Sequence, residues 1–400
     1  MRIVRTKTRS VPITRGCGKL QRNGESATAL DSWRTPSISS DQPGRWASGQ
    51  ETGTARGDSF RVGSTVVCRA WRCRLVMVIV VFAASAVGLS GCTAGPVAAH
   101  HSVVTTTRSA PRTRPPSPVG IVVSAAPWRL PAPLAREVVL ASGGELLVAG
   151  GLTRSGSSST AVLRIDPASG STHPAGRLAV AVHDAAGALL AGHGVIFGGG
   201  QTDSVSMVQA LRPHGPARLA GHLPRARSDL VAATIGNAAY LLGGYNGQSL
   251  STSVLRTTNG RDYHVVGHLA APVRYPAIAA RGNQLWVFGG QGAHGPTDVV
   301  QRIDVRTGQA RIVGHLGTPL AHASALVVHG DIYLAGGQTR QGTSDLVRRF
   351  DPSTATFTVA AHLPVPVRDA GAAVIGDTGY LLGGGDPASN RVIELRPRFP

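Results

Sequence analysis

The sequence predicts an all-β protein, a six-bladed β-propeller over residues 119–400. A short apolar run ends in a pair of glycines six times, and the first glycines of successive pairs are 45 to 48 residues apart. Residues 119–400 also divide evenly into six units of 47 residues. A period of this length with one buried strand per period is typical of propeller blades. The pairs are Gly150-Gly151, Gly198-Gly199, Gly243-Gly244, Gly289-Gly290, Gly336-Gly337 and Gly383-Gly384.

Each unit repeats the same succession of predicted strands. A run of small residues such as residues 229–235 comes first, and a short turn such as Gly236-Asn237 follows. The next strand is continuously apolar, which is expected where both faces of a strand are packed. Its terminal glycines allow positive φ and close approach of the neighbouring blade. A polar loop then leads to a third strand, a turn such as Asp351-Pro352, and a fourth strand ending at Leu.

These glycine pairs and their spacing resemble the kelch repeat over about residues 119–400. Kelch repeats also carry a Tyr and a Trp at set distances after the glycines, and this chain departs from that pattern. Ile165, Ile303 and Phe350 lie near the Tyr position, and His173, Ala310 and Phe357 lie near the Trp position. The resemblance implies a kelch-type propeller of the galactose-oxidase-like superfamily. The copper oxidases of that superfamily use a Cys–Tyr crosslink, and residues 119–400 contain no Cys, so no cofactor is expected.

Ring closure is predicted to use the first strand of the propeller. Only one strand, residues 391–395, follows the last glycine pair, so the last blade lacks its outer strand. Residues 120–124 lie before the first glycine pair at the distance of an outer strand. We therefore expect them to pair with residues 391–395 and close the ring. Closure removes the open sheet edges that invite aggregation.

A segment upstream of the propeller has the pattern of an export signal. Residues 66–91 contain a basic patch and a 14-residue apolar run over residues 75–88. That run is shorter than the roughly 20 residues of a membrane span and suits a secretory signal. It is followed by Leu89, Ser90, Gly91 and Cys92, which resemble the lipobox of a bacterial lipoprotein signal peptide. The resemblance implies that Cys92 is acylated after cleavage, and a signal anchor with a chance Cys is the alternative.

The predicted domain organisation follows from this signal. Residues 1–65 are polar and aperiodic, and a translation start assigned too far upstream explains them better than a disordered extension. Residues 92–118 form the lipidated Cys and a flexible linker rich in Thr, Ser and Pro. The predicted location is the outer face of the bacterial cytoplasmic membrane, with the lipid as the membrane contact. Only Cys92 of the four cysteines follows the cleavage site, so no disulfide framework is expected.

Charge favours an acidic partner. The whole chain carries a formal net charge of +19. From Cys92 onward, 26 Arg, no Lys and 16 Asp plus Glu leave a difference of +10. A basic surface favours anionic headgroups or acidic polymers. Nucleic acid is not expected as a partner, because the protein is predicted to be exported and no stretch interleaves Arg clusters with stacking aromatics.

Polar residues are predicted to converge at one mouth of the central channel. Positions 14 and 15 residues before each first glycine begin the innermost strand, and residues just after each glycine pair open on the same face. The candidate ligand-binding residues are Arg136, His183, Asp184, Asp229, Arg274, Tyr275, His322, Arg368, Asp369, Tyr245, Gln291 and Gln338. Such groups suit a polyhydroxylated or anionic ligand. The alternative is a solvated rim whose charges pair with one another, with Arg368 and Asp369 beside Asp184 in a salt-bridged collar.

A second repeated position carries four histidines. His222, His268, His315 and His362 lie 21 residues before the first glycine of their units. This position is predicted to end an outer strand, where neighbouring imidazoles are too far apart for the roughly 2 Å metal–nitrogen bond. We therefore expect a polar surface position and no metal site.

Functions of different classes stay open. The first is a membrane-anchored extracytoplasmic module that binds a glycan, a cell-wall polymer or a protein partner, and it assigns no catalytic residue. The second is a carbohydrate-active enzyme of epimerase or lyase type that uses Arg274, His322 and Arg368 at the channel mouth. A third is a structural subunit of an envelope complex with the blade sides as interface. A strongly shifted carboxylate or His pKa at the mouth would favour an enzyme.

Overall fold

A computed structural model describes residues 118–213 and 215–400, so the predicted signal peptide and Cys92 lie outside the described residues. Every regular element in the described part of the chain is a β-strand. The strands form six antiparallel four-stranded sheets, which confirms the predicted all-β, six-bladed propeller. None of the described residues belongs to a helix long and apolar enough to cross a membrane.

Blades one to five each take four strands in chain order, from the innermost to the outermost. Their bounds are Val138–Ser142, Glu145–Ala149, Ala161–Ile165 and Thr172–Arg177 in blade one; Ala186–Leu190, His193–Phe197, Met207–Ala210 and Arg218–His222 in blade two; Ser228–Ile235, Ala238–Tyr245, Ser253–Thr257 and His264–His268 in blade three; Ala277–Arg281, Gln284–Phe288, Val299–Asp304 and Ala310–His315 in blade four; and Ser324–Val328, Asp331–Ala335, Leu346–Asp351 and Thr356–His362 in blade five. Three short pairs lie in loops: Leu134–Ala135 with Leu152–Thr153, Gln291–Gly292 with Gly295–Pro296, and Gln338–Thr339 with Gly342–Thr343.

Blade six joins the two ends of the propeller. Its inner strands are Gly371–Ile375 and Thr378–Leu382, its third strand is Val392–Arg398, and its outermost strand is Gly120–Ala125. Gly120 lies opposite Arg398 and Ala125 lies opposite Ile393. The predicted closure is confirmed. The third strand runs further than residues 391–395, because the N-terminal strand keeps residues up to Arg398 in an extended, paired conformation.

The core consists of the layers between adjacent blades. Between blades four and five, Trp286, Phe288, Leu334 and Phe350 are almost fully buried, and Phe288 and Phe350 meet edge to face with ring centroids 5.0 Å apart. Burying a side chain of this kind contributes about 1.5–3 kcal/mol. Since each blade covers the next, the propeller is held by apolar packing between units.

One glycine pair shows why the repeat needs glycine. Gly289 and Gly290 have φ of 56° and 99°, a backbone region that L side chains rarely adopt. A Cβ on Gly289 would lie 2.1 Å from the carbonyl oxygen of Leu320 in the approach to blade five. Glycine is therefore required both by the backbone conformation and by the close approach of the next blade.

Candidate functional site

Six residues, one from each blade, form a ring around one mouth of the central channel. Each lies 14 residues before the first glycine of its blade and adopts a left-handed backbone conformation with φ between 52° and 60°. We call this ring the collar. Its members are Arg136, Asp184, Asp229, Tyr275, His322 and Asp369. All six line one cavity, so the structure brings these predicted residues together.

Backbone hydrogen bonds close the collar. The N–H of each collar residue donates to the carbonyl oxygen of the collar residue in the preceding blade, over distances from 2.8 to 3.2 Å. The 2.8 Å bond from Arg136 to Asp369 joins blade one to blade six and completes the circle. Left-handed backbone costs a non-glycine residue about 1 kcal/mol or more. Six such residues in one hydrogen-bonded ring hold their side chains at a common level around the channel.

Charged side chains of the collar pair with one another. The Arg136 guanidinium lies 3.0 Å from Asp184 and 3.5 Å from Asp369. His322 Nδ1 lies 2.6 Å from Asp369 Oδ1, and the His322 ring stacks on Tyr275 with centroids 4.0 Å apart. The alternative of a rim that pairs its own charges therefore describes much of the collar.

The carboxyl groups of the collar have pKa values shifted in different directions, because burial competes with nearby charges and hydrogen bonds. Burial raises the pKa of Asp184 to about 7, against the effect of Arg136 and aided by the neighbouring carboxylates. Burial also raises the pKa of Asp229, although Arg274 opposes the shift. Burial also acts to raise the pKa of Asp369. The hydrogen bond and charge of His322, together with the charges of Arg136 and Arg368, outweigh this effect, so the pKa of Asp369 is lowered. The collar thus holds carboxyls with different proton affinities side by side.

Glu137 lies beside the collar and was missed by the sequence analysis. It is buried and lines the same cavity. Its Oε1 accepts a hydrogen bond from the N–H of Gly371 at 3.3 Å, and its Oε2 has no hydrogen-bond partner in the described part of the chain. Burial raises the pKa of Glu137 to about 8. The repeat could have revealed Glu137, because it is the one charged residue at a position that is apolar in the other five units. Those units hold Ala185, Leu230, Pro276, Ala323 and Ala370 there.

Three more predicted residues border the collar, each one position earlier in the repeat. His183 Nε2 lies 3.6 Å from Asp184, and burial followed by the charge of Arg136 lowers the pKa of this histidine. Arg274 Nη1 lies 3.5 Å from Asp229. Arg368 Nη2 lies 2.8 Å from Asp386. Arg274 and Arg368 thus place two guanidinium groups at the border of the collar.

The residues predicted after the glycine pairs are less uniform. The Arg274 guanidinium lies over the Tyr245 ring, with its Cζ 5.2 Å from the ring centroid. The backbone N–H of Gln291 donates to the carbonyl of Arg274 at 2.7 Å. The Gln338 side chain instead bonds within its own loop, to Thr339 and Thr343. Tyr245 and Gln291 therefore adjoin the collar's border. The Gln338 backbone lies there too, since its N–H donates to the carbonyl of Ala321 at 2.7 Å, and Gln338 also lines a neighbouring groove.

Cavity size distinguishes the collar from that groove. The collar cavity has a volume of about 110 Å³, well below the roughly 300–1,000 Å³ of ordinary small-molecule pockets. The groove between blades five and six has a volume of about 490 Å³ and is lined by Gln338, Arg368, Asp386 and Arg391 among others. A sizeable ligand on this face has room in the groove and not inside the collar.

The repeated histidines lie at the ends of outer strands, as predicted, and are exposed. Each Nδ1 contacts a side chain of its own blade at 2.9 to 3.2 Å. The pairs are His222 with Ser206, His268 with Thr252, His315 with Asp298, and His362 with Asp345. Within residues 118–213 and 215–400, no group of three or more His, Cys, Asp or Glu side chains is arranged to hold a metal ion.

Comparison with known proteins supports the same class of fold. Residues 319–364 match the family model described as Kelch motif. A solved structure titled "Structure of YjhT" is 15% identical with a TM-score of 0.56, over 66% of this chain and 94% of that chain. At this identity the likeness shows the fold alone. No curated protein sequence matches this chain. The matched motif and the six blades together define a kelch-type β-propeller.

Proposed function

We propose that this chain is a membrane-anchored extracytoplasmic binding module. Its ligand docks on the collar face, the side of the propeller at which the six collar residues surround the channel mouth. The observation that carries the proposal is the collar itself, six strained residues from six blades that present charged and aromatic groups at one mouth. Strained backbone is retained mainly where the surrounding structure and a function require it. The ligand is a glycan, a cell-wall polymer or a protein partner, since kelch-type propellers serve as interaction modules.

Size and charge favour binding across the face over binding inside the channel. The 110 Å³ collar cavity is too small for a sugar ring with its substituents. Arg368 lines the 490 Å³ groove and also lies 3.8 Å from Asp369 of the collar. A ligand in the groove would therefore meet the paired guanidinium of Arg368 and carboxylate of Asp386, which together donate to and accept from hydroxyl groups. Its bulk would remain outside the collar.

The anchor is the second part of the proposal. Cys92 is proposed as the acylated N-terminal residue, which would tether the propeller to the outer face of the cytoplasmic membrane. Mass spectrometry of the protein from membranes is expected to find a lipid-modified peptide beginning at Cys92. Cys92→Ala is expected to release the protein from the membrane fraction or leave its precursor uncleaved. An unmodified Cys92 in a membrane-bound protein would refute the anchor.

A binding screen tests the ligand. Residues 93–400 would be screened against envelope glycans and envelope proteins, with Arg274→Ala and Arg368→Ala as variants. Arg281→Ala and Arg306→Ala remove exposed arginines elsewhere and serve as matched controls. We expect at least tenfold weaker binding in the collar-face variants and unchanged binding in the controls. Equal binding by all four variants would exclude the collar face, and a screen without hits would refute the glycan ligand.

A carbohydrate-active enzyme of epimerase or lyase type is the second candidate. It is favoured by the raised pKa values of Glu137, about 8, and Asp184, about 7, at the collar. A carboxyl with a pKa near neutrality can act as a general acid or base, and such groups concentrate at functional sites. Any glycan that binds would be followed by NMR for turnover. Turnover lost in Glu137→Gln with binding retained would support catalysis, and no turnover would leave a binding module.

A further inference from the structure

A third cavity lies in blade three and shares no lining residue with the collar cavity or the groove. It has a volume of about 430 Å³ and lies between the segment that enters blade three and the loop after Gly243-Gly244. We call it the blade-three pocket. The residues that matter here are Arg225, Arg227, Ser251, Thr252, Ser253 and His268. No Asp or Glu is among the described residues that line it.

Arg227 is the exceptional member of a repeated apolar position. It lies 16 residues before the first glycine of its blade and is only 5% exposed. The equivalent residues of the other five blades are Leu134, Val182, Val273, Leu320 and Val367, all buried. The fold therefore accepts an apolar side chain at this position in every other blade. The guanidinium of Arg227 has no counterpart that would make it a structural requirement of the repeat.

The hydrogen bonds of Arg227 leave its charge without a carboxylate. Its Nη2 donates to Ser253 Oγ at 2.7 Å and its Nη1 donates to the Ser253 carbonyl at 3.2 Å. None of the ion pairs among the described residues includes it. Burial lowers the pKa of Arg227 to about 10, and no acidic group opposes the shift. A buried charge without a countercharge is costly, by several kcal/mol in ordinary proteins.

Ser253 departs from its repeat position together with Arg227. It pairs in register with His268 at the end of the outer strand. The residues at the same register in blades one, two, four and five are Ala161, Met207, Val299 and Leu346. Two positions that are apolar elsewhere thus carry a guanidinium and a hydroxyl that bond to each other in blade three. This joint change marks the pocket as a polar site built into one blade.

We propose that the blade-three pocket binds an oxyanion, the phosphate, sulfate or carboxylate group of a larger polar ligand. Arg227 supplies a buried positive charge whose countercharge is the ligand. Exposed Arg225 and His268 add cationic or donor groups at the rim, and Ser251 and Thr252 add hydroxyl donors. Guanidinium and hydroxyl donors around an acid-free cavity are the groups that bind such anions. The site goes beyond the proposed function, because it lies apart from the collar and would persist if the collar bound nothing.

Anion titration tests the site. The purified protein would be titrated with inorganic phosphate, sulfate and acetate by calorimetry at pH 7 and constant ionic strength. We expect saturable binding of at least one anion and at least tenfold weaker binding by Arg227→Val. A preference for phosphate or sulfate would indicate a phosphorylated or sulfated ligand, and a preference for acetate would indicate a carboxylated one. Arg281→Val removes an exposed arginine of blade four and should bind as the wild type does.

The same variants separate a ligand site from a structural arginine. Val stands at this position in blades two, four and six, so Arg227→Val is expected to fold with an unchanged or higher melting temperature. Ser253→Ala is expected to weaken anion binding by a smaller factor, since it removes one partner of Arg227. Absence of saturable binding to the wild type, equal binding by Arg227→Val, or unfolding of Arg227→Val would each overturn the proposal.

Discussion

Replacing the buried carboxyl at the collar should change how stability depends on pH. Glu137 has its pKa raised by burial from 4.5 to about 8. Between pH 4.5 and pH 8 the Glu137 carboxyl is ionised in the unfolded chain and protonated in the folded protein. The contribution of Glu137 to stability is therefore fully present below pH 4.5 and is lost as pH rises toward 8, by about 1.4 kcal/mol per pH unit. From pH 5 to pH 8 the loss assigned to Glu137 is roughly 4 kcal/mol.

Glu137→Gln removes this titration and keeps the shape of the side chain. The variant is expected to be less stable by about 1–3 kcal/mol at every pH, because the buried amide of Gln has no hydrogen-bond partner at the Oε2 position among the described residues. The diagnostic quantity is therefore the difference in unfolding free energy between variant and wild type, measured in urea at pH 5, 6, 7 and 8. We expect that difference to shift toward the variant by roughly 4 kcal/mol over this range.

Glu145→Gln provides the control for a surface carboxylate in the same blade. Glu145 is partly exposed and pairs with Arg164 at 2.9 Å. A difference for Glu137→Gln that stays constant from pH 5 to pH 8 would refute the reasoning. It would mean that Glu137 is solvated or that its charge has a partner in the folded protein.

Two further predictions concern the ring. Deletion of residues up to 125 removes the outer strand of blade six and exposes the edge of Val392–Arg398. We therefore expect a lower melting temperature and aggregation detected by light scattering. A deletion ending at residue 117 is the control, and equal melting temperatures for the two deletions would contradict the closure argument. Gly308→Ala should destabilise the protein by at least about 2 kcal/mol more than Gly330→Ala. Both glycines have positive φ, but only at Gly308 would a Cβ lie 2.0 Å from another atom, the Val266 carbonyl oxygen. Equal denaturant midpoints for the two variants would show that the blades shift apart freely.

The blade pattern was predictable because it is local. Each glycine pair ends a buried apolar strand, and the backbone conformation that requires glycine is repeated in every unit. The closure of blade six by Gly120–Ala125 followed from the same count, because one strand was missing at the C-terminal end and one was spare at the N-terminal end. The extent of Val392–Arg398 was underestimated, since its last residues are held extended by a partner strand more than 270 residues away in sequence.

The candidate site was predictable in position and less so in detail. The repeat placed one residue per blade at the channel mouth, and all six collar positions were among the predicted residues. The pairing of Arg136 with Asp184 and Asp369 joins residues on three blades, and its geometry depends on the closed ring. Glu137 and Arg227 were not among the predicted residues, because the repeat points to positions that are polar in many units. Both are single charged residues at positions that are otherwise apolar or small.

The sequence alone determined the number of blades, the strand order within each blade and the strand that closes the ring. These properties follow from the spacing of apolar runs and glycines, which act over a few neighbouring residues. The tertiary structure decided which charges meet, which are buried and which have a partner. Those properties depend on distances between blades, such as the 3.3 Å from Gly371 to Glu137. Desolvation and Coulomb energies change steeply over such distances, so a pattern of residue types cannot supply them.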